Sequence, residues 1–193
     1  MSRAFVLYAH PCAESFGAAL HGAVVEGMAA RGWEVDDCDL YAEGFDPVLT
    51  EAERRGYHEL ETNTAPVQGY VDRLRSADTL ALVFPVWNYG YPAILKGFFD
   101  RVFLPGVSFR MEGGVVVPNL THIERLLVVT TYGGTWLKST LAGDPPRRVA
   151  GRVLSRITQA ERVRYLALYD MNRADAAKRG RFLEKVRREV AGL

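Results

Sequence analysis

Three short segments carry the residues whose types and spacing could do chemistry. The first, HPCAESFG from His10 to Gly17, precedes a run with helical spacing. A helix starting there offers unpaired amides and a positive dipole end, the natural seat of a phosphate. Ser15 can cap that helix or donate to an anion, Gly17 permits close backbone approach, and His10 adds a donor. The plainer alternative makes Ser15 a cap only and His10 a surface residue. The second segment, PVWNYGYP from Pro85 to Pro92, can wall a flat ring. Trp87, Tyr89 and Tyr91 offer stacking surface, and Asn88 and nearby amides offer donors to ring heteroatoms. The alternative is a turn whose aromatics cover the core. The third, TTYGGTW from Thr130 to Trp136, holds the paired Gly133 and Gly134, where backbone can approach a ligand that a Cβ would obstruct.

No GxGxxG follows the first apolar run and no GxxxxGKS occurs anywhere, so neither a dinucleotide fingerprint nor a P-loop is present. The phosphate seat is of another kind.

These segments need rigid elements before them, and the hydrophobic pattern supplies them. Arg3 to Ala9 reads as a buried strand, followed by a helix from Ser15 to Arg31 with Phe16, Ala19, Leu20, Ala23, Val24 and Met28 on one side. Gly32 ends it, and Trp33 to Leu40 reads as an edge strand with Trp33, Val35 and Cys38 inward. Thr50 and Glu53 have capping-box spacing, and Pro66 can open a helix through Arg75. Thr79 to Phe84 is the clearest buried strand; Pro92 then starts a helix carrying Ile94, Leu95, Phe98, Phe99 and Val102. Leu126 to Thr131 supplies a fourth strand, Pro146 to Ile157 a helix, and Val163 to Tyr169 a fifth strand. A last helix buries Phe182, Leu183, Val186, Val190 and Leu193 and exposes its lysines and arginines.

Strand and helix alternation predicts an α/β fold, residues 1–193 as one domain: a doubly wound, three-layer sandwich around a parallel five-stranded sheet. In the flavodoxin-like strand order 2-1-3-4-5, ligands bind beyond the carboxyl ends of the strands, at the switch between the first and third. All three chemical segments follow strand ends of that kind.

Composition narrows the partners. Lys plus Arg number 24 against 23 Asp plus Glu, so no global field recruits nucleic acid or an anionic membrane. The opening MSRAFVLYAH is too short an apolar run for a signal peptide or membrane helix, and with Cys12 and Cys38 the only cysteines a reducing, cytoplasmic setting is expected. Cys12 near a helix start invites a reactive-thiol reading, though no resolving cysteine is adjacent. Arg147 and Arg148 could meet the 2′-phosphate of NADPH, or stand in a solvated loop. No metal site is expected.

The motifs VLYAHPCAESFGAAL, FPVWNYGYPAILKGFFDRVF and VVTTYGGT make the chain resemble the flavodoxin-like NAD(P)H:quinone oxidoreductases from about Ala4 to Thr135. The middle motif is the most specific. The resemblance implies FMN, with FAD the alternative, held by His10, Ser15, Phe16 and Gly17, by Pro85, Val86, Trp87, Asn88 and Tyr89, and by Thr131, Tyr132, Gly133 and Gly134. It implies a homodimer whose sites are completed across the interface, with Phe109 in PGVSFRMEGG as the candidate aromatic facing the partner's flavin, or else packing on its own subunit. Tyr91, Phe109 and Trp136 are the expected substrate-pocket residues. The tyrosine and histidine that mammalian members carry after the glycine loop have no counterpart in Trp136, Leu137 and Lys138.

The implied chemistry is hydride transfer from NAD(P)H to the flavin and onward to a quinone-like acceptor, with no side-chain acid or base strictly required. Two other classes compete. A flavodoxin-type electron carrier would pass single electrons to a protein, but such carriers are usually acidic. A redox-sensing subunit docked on a membrane transporter is the second.

Overall fold

A computed structural model describes residues 2–193 of the chain. Its first element, β1 (Arg3–Tyr8), has five of six residues buried, because its apolar run has no polar side to turn to water. Ser15 caps α1 (Phe16–Ala29), which buries Leu20, Ala23, Val24 and Met28. The edge strand β2 (Glu34–Asp39) buries only Cys38 fully. Val35 packs on one face of the sheet and Cys38 on the other, as alternate side-chain directions require, so the two are not inward together. Trp33 precedes the strand, its ring 5.3 Å from each of the Arg31 and Arg125 guanidiniums.

The capping box forms: Thr50 Oγ1 accepts from the Glu53 amide and Glu53 Oε2 accepts from the Thr50 amide, opening the short α2 (Glu51–Arg55). The Pro66 helix begins as a 3₁₀ turn, Ala65–Val67, and continues as α3 (Gln68–Ser76). Strand β3 (Thr79–Val86) buries seven of its eight residues. Pro92 then caps α4 (Ala93–Val102), where Gly97 lies so close to Pro47 that a Cβ would overlap it.

An antiparallel hairpin follows, β4 (Phe109–Glu112) and β5 (Val115–Pro118). Strand β6 (Arg125–Tyr132) leads to α5 (Trp136–Leu141). The helix expected from Pro146 to Ile157 is three joined pieces: α6 (Pro145–Arg148), a π-helical turn over Val149–Leu154, and α7 (Ser155–Thr158). Strand β7 (Arg162–Leu168), a 3₁₀ turn at Met171–Arg173 and α8 (Ala176–Ala191) complete the chain.

The sheet runs β2-β1-β3-β6-β7, all parallel, which is 2-1-3-4-5 when the separate hairpin is left out of the count. Alternate residues of each central strand feed two cores. Phe5, Leu7, Leu80, Leu82 and Leu126 face α3 and α4, whereas Val6, Ala81, Val83 and Leu127 face α1 and α8. Burying each large aliphatic side chain stabilises by roughly 1.5–3 kcal/mol, so this double-sided packing fixes the strand ends rigidly. The three chemical loops hang from those ends.

Candidate functional site

Beyond the carboxyl ends of β1, β3 and β6 lies a crevice of about 490 Å³. From the first loop it is lined by His10, Ser15, Phe16 and Gly17; from the second by Pro85, Val86, Trp87 and Asn88; from the third by Thr131 and Gly133. Met171 and Asn172, from the turn after β7, close it. Ten of the thirteen residues expected to hold the cofactor therefore share one cavity, at the size of small-molecule sites generally, roughly 300–1,000 Å³.

The first loop places a serine cap at the start of α1. Ser15 has extended backbone (φ −70°, ψ 157°) and its Oγ accepts from the Ala18 amide at 3.0 Å. Behind it the Tyr8 hydroxyl lies 3.5 Å away, its ring stacked at 4.2 Å on His21, whose Nε2 meets Asp37 Oδ1 at 2.7 Å. Burial pushes the Tyr8 phenol up, so it stays neutral beside Ser15. His10 Nδ1 accepts from the Cys12 amide at 3.0 Å, which assigns the proton of the neutral ring to Nε2. A Cβ on Gly17 would lie 3.4 Å from the His10 ring, an ordinary contact, so the helix start packs against the imidazole. The Cys12 thiol is exposed and Cys38 is buried, its thiol pushed up mainly by desolvation.

The second loop is a tight, strained turn. Trp87 and Gly90 exchange backbone bonds (Trp87 N to Gly90 O 3.2 Å, Gly90 N to Trp87 O 2.8 Å) around Asn88 and Tyr89. Both central residues have positive φ, 48° and 59°, as a type I′ turn requires. A side chain in that region costs roughly 1–2 kcal/mol, a cost asparagine offsets better than tyrosine. The turn presents Trp87 and Tyr89 to solvent at 43% and 45% exposure, and the Trp87 ring meets His10 edge-on at 5.8 Å.

The third loop divides. Thr131 and Gly133 face the crevice, and Gly134 lies beyond its lining, with its carbonyl accepting from the Asp170 amide at 2.7 Å. Tyr132 departs from its expected role: it is the last residue of β6, 2% exposed, and its side chain turns away from the crevice. Its hydroxyl donates to Asp144 Oδ1 at 2.6 Å and meets the Tyr165 hydroxyl at 2.5 Å. Strand alternation explains this, since Thr131 and Tyr132 must point to opposite sides.

The expected substrate-pocket residues do not assemble there either. Tyr91 is half-buried, its hydroxyl donating to the Pro146 carbonyl at 2.9 Å and its ring against Phe84 and Phe99. With Phe109 it lines a separate, almost wholly apolar cavity of about 290 Å³ between α4 and the π-helical turn. Trp136 begins α5 at 57% exposure and lines neither cavity. Tyr89 stands at the turn's tip, outside the crevice lining. Met171 and Asn172 were missed by sequence reasoning because only three strand ends were read; the rule that ligands gather at carboxyl ends applies equally to the fifth.

His10 is the one titratable side chain in the crevice lining, which it shares with the Ser15 and Thr131 hydroxyls. Among the described residues no group of three or more His, Cys, Asp or Glu could hold a metal ion, and no helix is long and apolar enough to cross a membrane. The arrangement can seat a phosphate at α1 and lay a flat ring along the second and third loops.

Known proteins share this design. The chain is 31% identical over 147 residues to NAD(P)H dehydrogenase [quinone] 1 of Rattus norvegicus, a match covering 68% of this chain and 54% of that one. It thus spans about half the length of this curated relative. A crystal structure of Smu.1420 from Streptococcus mutans UA159 superimposes with a TM-score of 0.87 at 27% identity, over 99% of this chain and all of that one. The NAD(P)H:quinone oxidoreductase from Methanothermobacter marburgensis does so at 0.83 and 25%, over 98% of each. Residues 2–190 match the model of the Flavodoxin_2 family, described as a flavodoxin-like fold, and the chain belongs to that family.

Proposed function

We propose that this chain is a flavin-dependent NAD(P)H oxidoreductase that reduces a quinone or similar small acceptor. The observation that carries the reading is the convergence of ten expected residues on one crevice, which joins the start of α1 to an exposed tryptophan. The relatives' names support the reaction class, an NAD(P)H dehydrogenase [quinone] in rat and an NAD(P)H:quinone oxidoreductase in Methanothermobacter.

A flavin held here would supply the hydride-transfer chemistry between a nicotinamide and an acceptor. The residues present fit such a group. The Ser15 hydroxyl and the first amides of α1 would hold its phosphate, and Trp87 and the Asn88–Tyr89 turn would flank the ring. Gly133 would bring its backbone to the ring beside Asn172, and amide donors there would stabilise negative charge on the group.

FMN is the proposed form. A groove of about 470 Å³ also borders Ser15 and runs along α1. Glu14 and Glu26 line it, and its one cation, Arg187, is engaged with Glu184 at 2.5 Å, so a second phosphate would meet carboxylates. The proposed setting is the cytoplasm. A second copy of the chain is the proposed partner, supported by the exposed apolar hairpin residues Met111, Val115 and Val116 beside Phe109.

Purification followed by release and mass identification of the bound ligand tests the reading. FMN is the expected product; a protein that takes up neither FMN nor FAD in titration overturns it.

A further inference from the structure

Asp144 combines two costs at one residue. It occupies the left-handed region (φ 42°, ψ 61°) between α5 and α6, and its carboxylate is buried at 7% exposure. Burying a carboxylate is costly unless it is hydrogen-bonded or paired, and its nearest cation, Arg147, stands 3.9 Å away and half exposed. Phenols satisfy it instead. Oδ1 accepts from Tyr132 at 2.6 Å and Oδ2 from Tyr169 at 3.1 Å. The Tyr132 hydroxyl has one proton, already given to Asp144, so the Tyr165 hydroxyl at 2.5 Å donates to Tyr132. The Tyr132 and Tyr169 rings stack at 4.4 Å, completing a clamp across the ends of β6 and β7.

What the clamp holds is the crevice wall. Tyr132 immediately precedes Gly133, and Tyr169 immediately precedes Asp170, whose amide fixes the Gly134 carbonyl at 2.7 Å. The chain then turns through Met171 to Asn172, whose side-chain amide packs on Gly133. Asp144's own amide donates to the Ser139 carbonyl at 2.8 Å, tying the clamp to α5, the helix that follows the glycine pair.

We propose that Asp144 is a positioning residue: through Tyr132 and Tyr169 it sets the pose of Gly133–Gly134 and of Met171–Asn172 against the ligand. The carboxylate touches no ligand itself. That the ligand is a flavin rests on the function proposed above; that the clamp sets the loop does not.

Asp144→Gly removes the carboxylate and suits the left-handed backbone, and Asp144→Asn keeps an acceptor oxygen in a residue that tolerates it. In the ligand-free protein, the Asp170 amide of Asp144→Gly exchanges with solvent about tenfold faster than wild type, while the Ala9 amide on the first loop keeps its rate. In FMN titrations monitored on folded protein, Asp144→Gly weakens binding about tenfold or more and shifts the flavin midpoint potential, and Asp144→Asn restores most of the affinity. An unchanged Asp170 exchange rate in Asp144→Gly overturns the proposal. So does FMN affinity within twofold of wild type at an unchanged potential, which would leave Asp144 with stability alone. If wild-type protein binds no flavin, the functional reading fails and the exchange measurement still decides the clamp.

Discussion

A Cβ placed on Gly133 would lie 3.2 Å from Nδ2 and 3.3 Å from Oδ1 of Asn172, so the two residues form one wall of the crevice. Asn172 is exposed and can yield, and Gly133→Ala should therefore cost the ligand-free protein less than about 1 kcal/mol. The displaced amide and the new methyl both enter the crevice. FMN affinity should fall about tenfold, or 1.4 kcal/mol, in a fluorescence titration. Unchanged affinity would mean that the ligand lies away from this wall.

Ser15→Asp separates capping from anion binding. Aspartate caps as well as serine and suits the positive end of α1, so the melting temperature of ligand-free protein should hold or rise, by about 0.3–1 kcal/mol of stability. FMN should bind about tenfold or more weakly, because two anions would share one seat. Riboflavin, which lacks the phosphate, should be nearly indifferent. Equal losses for FMN and riboflavin would show that Ser15 faces no phosphate.

The second loop offers paired substitutions. Trp87→Ala should weaken FMN binding by roughly 1–3 kcal/mol with little loss of stability, since the ring is 43% exposed. Tyr89→Gly relieves a side chain at φ 59° and should leave stability unchanged or raised by up to about 1 kcal/mol. Thermal melts of both check this; a large destabilisation would place these rings in the core.

These loops show how far the sequence could be read. Strands β1, β3 and β6 were legible because residues such as Val6, Leu82 and Val128 sit in unbroken apolar runs, and the loops followed from the strand ends. Tyr132 was misplaced because a motif gives backbone position and not side-chain direction, which depends on where β6 ends. Tyr91 went astray for a related reason: its hydroxyl found the Pro146 carbonyl, 55 residues on, a contact no local pattern encodes. The clamp at Asp144 was invisible because its tyrosines lie on β6, on β7 and just past the end of β7, and become neighbours only when the two strands pair.

The clamp also predicts alkaline behaviour. Burial pushes Tyr169 up to about 12, and Tyr132 and Tyr165 higher still, each further raised by Asp144 nearby. A phenol with a raised folded pKa stabilises the fold below its unfolded value near 10 and loses that contribution as pH rises toward the folded value. Stability should thus fall from about pH 10 to pH 12. Ultraviolet titration alongside circular dichroism checks it: of the nine tyrosines, those of the cluster should ionise only as the fold is lost, and ionisation of all nine near pH 10 in folded protein would contradict the burial of the cluster.

The most direct test of the central claim is anaerobic reduction. Protein loaded with FMN is mixed with NADH or NADPH, with no other reductase present, and the visible flavin absorbance is followed. Prompt bleaching, with colour restored on adding a quinone, is the result expected of an NAD(P)H oxidoreductase. Bound FMN that keeps its colour with both nicotinamides, yet is reduced by dithionite, would contradict the account and leave an electron carrier or a redox sensor in its place.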